Sequence, residues 1–441
     1  MIYNKVKPLT LAVAVAASAL SGQAMAGAFQ LNEQGVSGQG TSNAGRASTV
    51  NDASIVFGNP AGMSFLDRAQ VTAGAAFLTV DTDIKNTNDS ATDSNEGDMV
   101  PNSVIPFGFY VQPINDNLHF GLGVYAPFGL ITDYEGQFQG RFFGDRSKVE
   151  VVTVQPTISV KFSEQFSAGF GLTYNQIDGE LTANTQGGPV GLFDAATGAP
   201  LGGNAIAGEG DVDIEGDDNA WGYTLGAMYK PWEHTTFGFA YHSEVEYDLE
   251  GKARFTNVRV PRLSRDVPGA IEVGTISPRV DADLSITLPA VWDFSATHQI
   301  NDRWTVMAGA AMTNWSEFDE IRVENDFSEI VEAQNYEDSW QYSVGTTYQL
   351  NPQWVLRTGL AYDETPIKDE YRSVRVPSDD RIIFSLGAGW TPMPDLTVDV
   401  AYSYIHESDA ELSQEEENRG TYEADFENTA QAFGAQVTYR F

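Results

Sequence analysis

The residues able to do chemistry are few and scattered. Five histidines, His119, His234, His242, His298 and His406, form no HExxH pair, and the chain has no cysteine. Thiolate metal sites, thiol nucleophiles and disulfides are therefore excluded, and a histidine metal site has no local support. There is no G-x-S-x-G nucleophile elbow, because Gly35-Val36-Ser37-Gly38 closes one residue early. A barrel lipase could still assemble a Ser–His pair without a local motif. No phosphate loop is present. Acidic runs within residues 81–98 and 211–218 read as solvated loops, with calcium coordination as the alternative. Lys and Arg number 25 against 61 Asp and Glu, a net charge of −36, which argues against nucleic acid. The expectation is a non-enzyme without metal or cofactor.

The first segment reads as an address. Lys5 and Lys7 precede an apolar run over residues 9–20, and Ala24-Met25-Ala26 is a small-x-small cleavage site. Residues 1–26 read as a signal peptide too short to span a bilayer, with a mature start at Gly27. No later stretch is apolar for long enough to make a membrane helix.

The remainder alternates with period two. Phe433, Ala435, Val437, Tyr439 and Phe441 fall on one face, and Gly434, Gln436, Thr438 and Arg440 on the other. The same pattern recurs over residues 340–350, 354–362, 382–390 and 396–404, with aromatics near the strand ends and aliphatics between. That is the profile of a strand crossing a lipid layer. Six short turns, near residues 114–117, 163–165, 232–234, 301–303, 351–353 and 392–395, alternate with seven long polar segments. Those segments are 81–100, 127–147, 185–218, 258–280, 327–335, 364–379 and 411–421. The thirteen connections imply an all-β, about fourteen-stranded antiparallel transmembrane barrel over residues 69–441, with short periplasmic turns and long outer loops. Closure pairs every backbone group in lipid. The aromatic terminus Phe441 suits recognition by the bacterial barrel-assembly machinery.

Residues 27–68 do not alternate. They are rich in Gly, Ser, Ala and Asn and poor in charge, and read as a compact plug, or hatch, inside the barrel. A plugged lumen is not an open porin.

Here the residues resemble a known family. Gly27-Ala28-Phe29-Gln30-Leu31-Asn32-Glu33 resembles the mature start of FadL-type outer-membrane long-chain fatty acid transporters, and Asn59-Pro60-Ala61 resembles their hatch motif. Tyr241–Val245, Leu288–Trp292, Asn314–Phe318, Arg357–Asp363 and Pro377–Arg381 continue the likeness in order. The resemblance implies a Gram-negative outer-membrane protein, expected as a monomer among lipid and lipopolysaccharide. It implies passive uptake of a hydrophobic ligand, hatch rearrangement, and sideways release at a kinked third strand. That strand falls at about 118–126, where Gly121, Gly123 and Pro127 are the lateral-gate candidates, although Pro127 could simply end a strand. The resemblance places Arg322 at a headgroup position and Phe29 beside the pocket. A second basic position of the family falls near Asp178–Glu180, which departs from the pattern. Leu192, Phe193, Leu201 and Ile206 are candidates for external capture. Residues 127–147 hold Phe128, Leu130, Ile131, Tyr134, Phe138, Phe142 and Phe143, which read either as a binding surface or as self-packing. The expected ligand is a long-chain fatty acid. Alkanes or aromatic hydrocarbons are the alternative, and a non-transporting adhesin or phage receptor stands behind both.

Overall fold

The computed structural model describes residues 28–87, 94–325, 329–416 and 419–441. The signal segment and Gly27 lie outside the described residues. Fourteen antiparallel strands form one ring. The first six are Gln70–Lys85, Ser103–Pro113, Leu118–Tyr125 continued as Gly129–Asp133, Arg146–Lys161, Phe166–Thr185 and Gly210–Trp232. The seventh is Thr235–His242 with Val245–Thr256, the eighth Arg279–Leu288 with Val291–Gln299, and the ninth Trp304–Thr313 with Glu320–Asn325. The tenth is Glu329–Ala333 with Ser339–Asn351, followed by Trp354–Asp363, Arg381–Met393, Leu396–Glu407 with Ala410–Glu416, and Gly420–Arg440. The ring closes where the first strand pairs with the last, from Gln70 opposite Arg440 to Lys85 opposite Asp425.

Alternation sets which face each side chain takes. Phe433, Val437 and Tyr439 point outward and are exposed to the lipid side, whereas Gln436 and Thr438 are buried inside. This inverts a soluble protein, because the apolar face meets hydrocarbon and the polar face meets the lumen. Trp354, Trp390, Trp232 and Trp304 sit near the short-turn end, where a wet-apolar boundary suits indole rings.

One sequence expectation changes, and of two open alternatives one is met. The segments 185–218 and 258–280 are not plain loops. Strand six begins at Gly210 and strand eight at Arg279, inside them, and Gly188–Asp194, Pro200–Ala207, Val258–Leu263 and Ala270–Ile276 form a separate four-stranded sheet. Backbone pairing overrides polar composition there. The apolar residues of 127–147 pack inward: Phe128, Leu130, Ile131, Tyr134, Phe138 and Phe143 are all buried. Tyr134 stacks on Phe138 at 3.8 Å between ring centroids.

Residues 28–66 lie inside the ring and bond to its inner face all the way round. Gln39 Nε2 donates to the Ala432 carbonyl, Ser42 Oγ to Ser385 Oγ, and Asn59 Nδ2 to the Ala227 carbonyl. Ser64 and Ser159 share a hydroxyl contact of 2.7 Å. Where this segment touches the wall most closely, the wall has glycine. A Cβ on Gly238 would collide with the Ala47 carbonyl, and one on Gly169 with the Pro60 backbone. Gly238→Ala should therefore destabilise the seated segment by about 1–3 kcal/mol, read as a lower unfolding midpoint in detergent. An unchanged midpoint would contradict this seating.

Above the lipid band the strands carry a row of like charges. Register places Glu150, Asp178, Asp217, Glu250, Asp283, Glu324 and Glu329 directly opposite one another across six neighbouring strands and the ninth-to-tenth hairpin. Directly opposed like charges destabilise a sheet, and salt screens exposed ones. Raising salt from roughly 0.02 to roughly 0.5 M shortens the screening length from about 20 to about 4 Å and should raise the unfolding temperature. A flat or falling salt dependence would refute the repulsion.

Candidate functional site

The third strand is one of the places where the wall departs from an unbroken ladder; another lies between strands six and seven, with no ladder pair between Thr224–His242 and Asp217–Glu250. Its lower part pairs with the second strand from Gly108–Val124 to Pro113–His119. Its upper part, Gly129–Asp133, pairs only with the fourth strand. Residues 103–107 of the second strand thus have no ladder partner on that side among the described residues. The break falls at Ala126-Pro127-Phe128, because proline brings no N–H to the ladder. The freed groups turn inward to the N-terminal segment. Leu31 N donates to the Pro127 carbonyl at 2.8 Å, and Gly129 N to the Phe29 carbonyl at 2.9 Å. Asp133 N donates to the Met99 carbonyl at 2.7 Å and bounds the opening above.

Pro127 therefore stands at the interruption. Gly121 and Gly123 do not: both are paired on both sides. A Cβ on Gly121 would press on Met63 and Val56 of the N-terminal segment, and one on Gly123 on the Phe109 ring, 3.0 Å away. Their role is close packing below the break.

A cavity of about 600 Å³ opens beside the interruption. Phe57, Tyr125, Pro127, Phe128, Val151 and Tyr247 supply much of its apolar wall. Thr153, Thr173, Thr224, His242 and Ser243 make one side polar. Arg46 is its sole Lys or Arg, and no Asp or Glu lines it. A second cavity of about 510 Å³, lined by Val149, Ile177, Leu249, Leu284 and Ile286, continues along the same inner faces. Val149, Leu249 and Ile286 lie two residues from Val151, Tyr247 and Leu288, so the two chambers stack. A third, of about 1240 Å³, shares Leu181, Ile214 and Ile321 with the second and reaches the outer end, where Arg259, Arg375 and Arg419 join its lining.

Phe29 is 2% exposed and forms the back of this system. Its ring meets Trp315 edge-on at 4.8 Å, Phe318 at 5.5 Å and Phe128 at 6.1 Å. Ala28 takes positive φ, 60°, to bring it there. Phe29 is packed behind the cavity and does not line it. Asn59 caps the turn Pro60–Phe65 by accepting from Ala61 N, and its Nδ2 bonds Ala47 and Ala227 carbonyls at 2.7 and 3.0 Å. The Asn-Pro-Ala motif thus ties the segment to the wall.

Arg322 is not brought to this site. It stands at the outer rim on the opposite face of its strand from Ile321 and Val323, 39% exposed by side chain, and is paired with Glu320 and Glu329. Among the external candidates, Leu192 and Phe193 pair with Glu272 and Ile271 in the outer sheet, while Leu201 and Ile206 are 54% and 78% exposed. They share one sheet but line none of the three chambers described above. Among the described residues no group of three or more His, Asp or Glu is placed to hold a metal.

Sequence reasoning missed three buried ion pairs. Arg46 bonds Asp293 at 2.6 Å, Arg357 bonds Asp399 at 2.7 Å and Arg381 bonds Glu407 at 2.6 Å, all with side chains under 10% exposed. Losing one partner of such a pair costs on the order of 3–5 kcal/mol. One signal was available: Arg46 is the single basic residue between Gly27 and Asp67.

Comparison with known proteins follows this geometry. Residues 17–441 match the family described as outer membrane protein transport protein (OMPP1/FadL/TodX). A long-chain fatty acid transport protein of Salmonella typhi is 27% identical over 436 residues, covering 98% of each chain. A solved FadL homologue of Pseudomonas aeruginosa superposes with TM-score 0.81 at 24% identity, over 94% of this chain and 100% of that one. The toluene transporter TodX of P. putida gives TM-score 0.65 at 18% identity, over 91% and 98%. The fold of these solved structures is the fold seen here. The chain is an outer-membrane β-barrel and belongs to the OMPP1/FadL/TodX family of transport proteins.

Proposed function

We propose that this barrel takes up long-chain fatty acids passively across the outer membrane. The ligand descends the stacked chambers, displaces part of the hatch formed by residues 27–68, and leaves sideways through the interrupted third strand. The observation that carries this reading is the stack itself, three chambers of increasingly buried apolar lining that end at Pro127 and Phe128. Such a site suits a long apolar chain with few polar anchors. No phosphate-loop motif is present to couple nucleotide hydrolysis, so flux follows the ligand gradient. The names of the curated relatives support the ligand class. Phe29 acts as the removable back wall. Leu201 and Ile206 offer exposed apolar contacts for capture. A monomer suffices, since each barrel carries its own path.

A second reading is a channel for neutral hydrocarbons. The mainly apolar lining favours it, because the cavity's one cation already has a carboxylate partner. Competition separates the two. Purified barrel should bind labelled oleate at micromolar strength, and hexadecane or toluene should displace it weakly. Displacement by either at equal or lower concentration would move the assignment to hydrocarbons. Arg322→Ala should leave oleate affinity within about twofold, under 0.5 kcal/mol, because Glu320 and Glu329 already occupy it. A tenfold loss would restore it as a headgroup contact.

The lateral route has its own test. Ala126→Val, Pro127→Thr and Phe128→Val together would supply the missing N–H and resume the strand's alternation. The triple variant should assemble as a heat-modifiable barrel and lose most oleate uptake by cells. Uptake at the native rate would exclude release at this position.

A further inference from the structure

Arg46 lies outside the stretches that resemble the family. It lines two cavities: the apolar chamber beside the third-strand break, and a polar cavity of about 500 Å³ within the hatch. Phe57 is the only other residue common to both. The guanidinium donates from Nε to Asp293 Oδ2 and from Nη1 to Asn32 Oδ1, both at 2.6 Å. Its Nη2 has no protein acceptor among the described residues. Arginine's planar fork can hold a second carboxylate along the edge that Asp293 leaves open. The hydroxyls of Thr224 and Ser243 and the His242 ring line the same chamber and could solvate such a headgroup.

We infer that Arg46 is the headgroup anchor of this chamber, and that an incoming carboxylate shares and then replaces Asp293 on its guanidinium. The proposal rests on the fatty acid reading above and names the residue that would enforce it. It also supplies a coupling. Ala47, the next residue, accepts the bond from Asn59, and a Cβ on Gly58 would lie 2.7 Å from the Arg46 carbonyl. A shift of Arg46 toward the chamber therefore pulls on the segment that seats Asn59-Pro60-Ala61. A ligand of equal length without a charge would fill the chamber without drawing Arg46 away from Asp293.

The test compares oleate with oleyl alcohol on wild type, Arg46→Gln and Asp293→Asn, each first checked for heat-modifiable mobility. Wild type should bind oleate about tenfold or more tightly than the alcohol. Arg46→Gln should abolish that ratio while leaving alcohol affinity nearly unchanged. Asp293→Asn should tighten oleate severalfold, because the competing carboxylate is gone, an effect opposite to that of a purely structural pair. Amide exchange over residues 45–62 should quicken with oleate and not with the alcohol. An oleate preference that survives Arg46→Gln, or equal weakening of both ligands by Asp293→Asn, would overturn the anchor while leaving uptake intact. If neither ligand bound wild type, the fatty acid reading itself would fall. Should Arg46→Gln not assemble, Asp293→Asn decides alone by the direction of its effect.

Discussion

Everything in this molecule answers to one constraint: in hydrocarbon every backbone N–H and C=O must find a partner within the protein. An open sheet cannot meet it, so the first strand returns to the last over sixteen residue pairs, from Gln70–Arg440 to Lys85–Asp425. Once the ring is closed, side-chain alternation assigns lipid to one face and lumen to the other. The lumen is then polar and too wide for wall side chains to fill. Residues 28–66 fill it, and they are held by hydroxyls, amides, the buried Arg46–Asp293 pair and apolar contacts such as those of Val56, Phe57 and Met63 with Phe109 and Tyr125.

The same constraint explains why the third-strand break matters. A wall that stops pairing at Ala126-Pro127-Phe128 would ordinarily strand polar groups. Here Phe29 and Leu31 of the inner segment take them up, so the plug and the wall are joined by backbone hydrogen bonds. Displacing Phe29 or Leu31 would therefore break hydrogen bonds to the wall. Trp315, Phe318 and Phe128 form an aromatic box around Phe29 at that joint. Edge-on aromatic pairs contribute about 0.5–1.5 kcal/mol each beyond their burial.

How much of this was legible in the sequence depended on which face carried the signal. Phe433, Val437 and Tyr439 announce a lipid-facing strand because alternation is local, and the count of short turns yields the strand number for the same reason. Phe29 and Asn59-Pro60-Ala61 were legible through resemblance. The seven-carboxylate row was not, since it exists only once register sets strands from residue 150 to residue 329 side by side. Arg46 was hidden for a related reason. Its partner Asp293 is 247 residues away, and a lumen-facing acid looks like any polar position of an alternating strand. Arg322 drew attention by its place after Trp315-Ser316-Glu317-Phe318, yet its strand turns it to the rim.

The chamber bounded by Tyr125, Phe128, Val151, Tyr247 and Val291 is the centre of this account. An experimental structure of the barrel with bound oleate tests it most directly. The expected result is an acyl chain lying along those residues, with its end toward the gap between residues 103–107 and 126–132. Acyl density confined to the outer sheet around Leu201 and Ile206, or threaded through the polar cavity of the hatch toward the short turns, would contradict it.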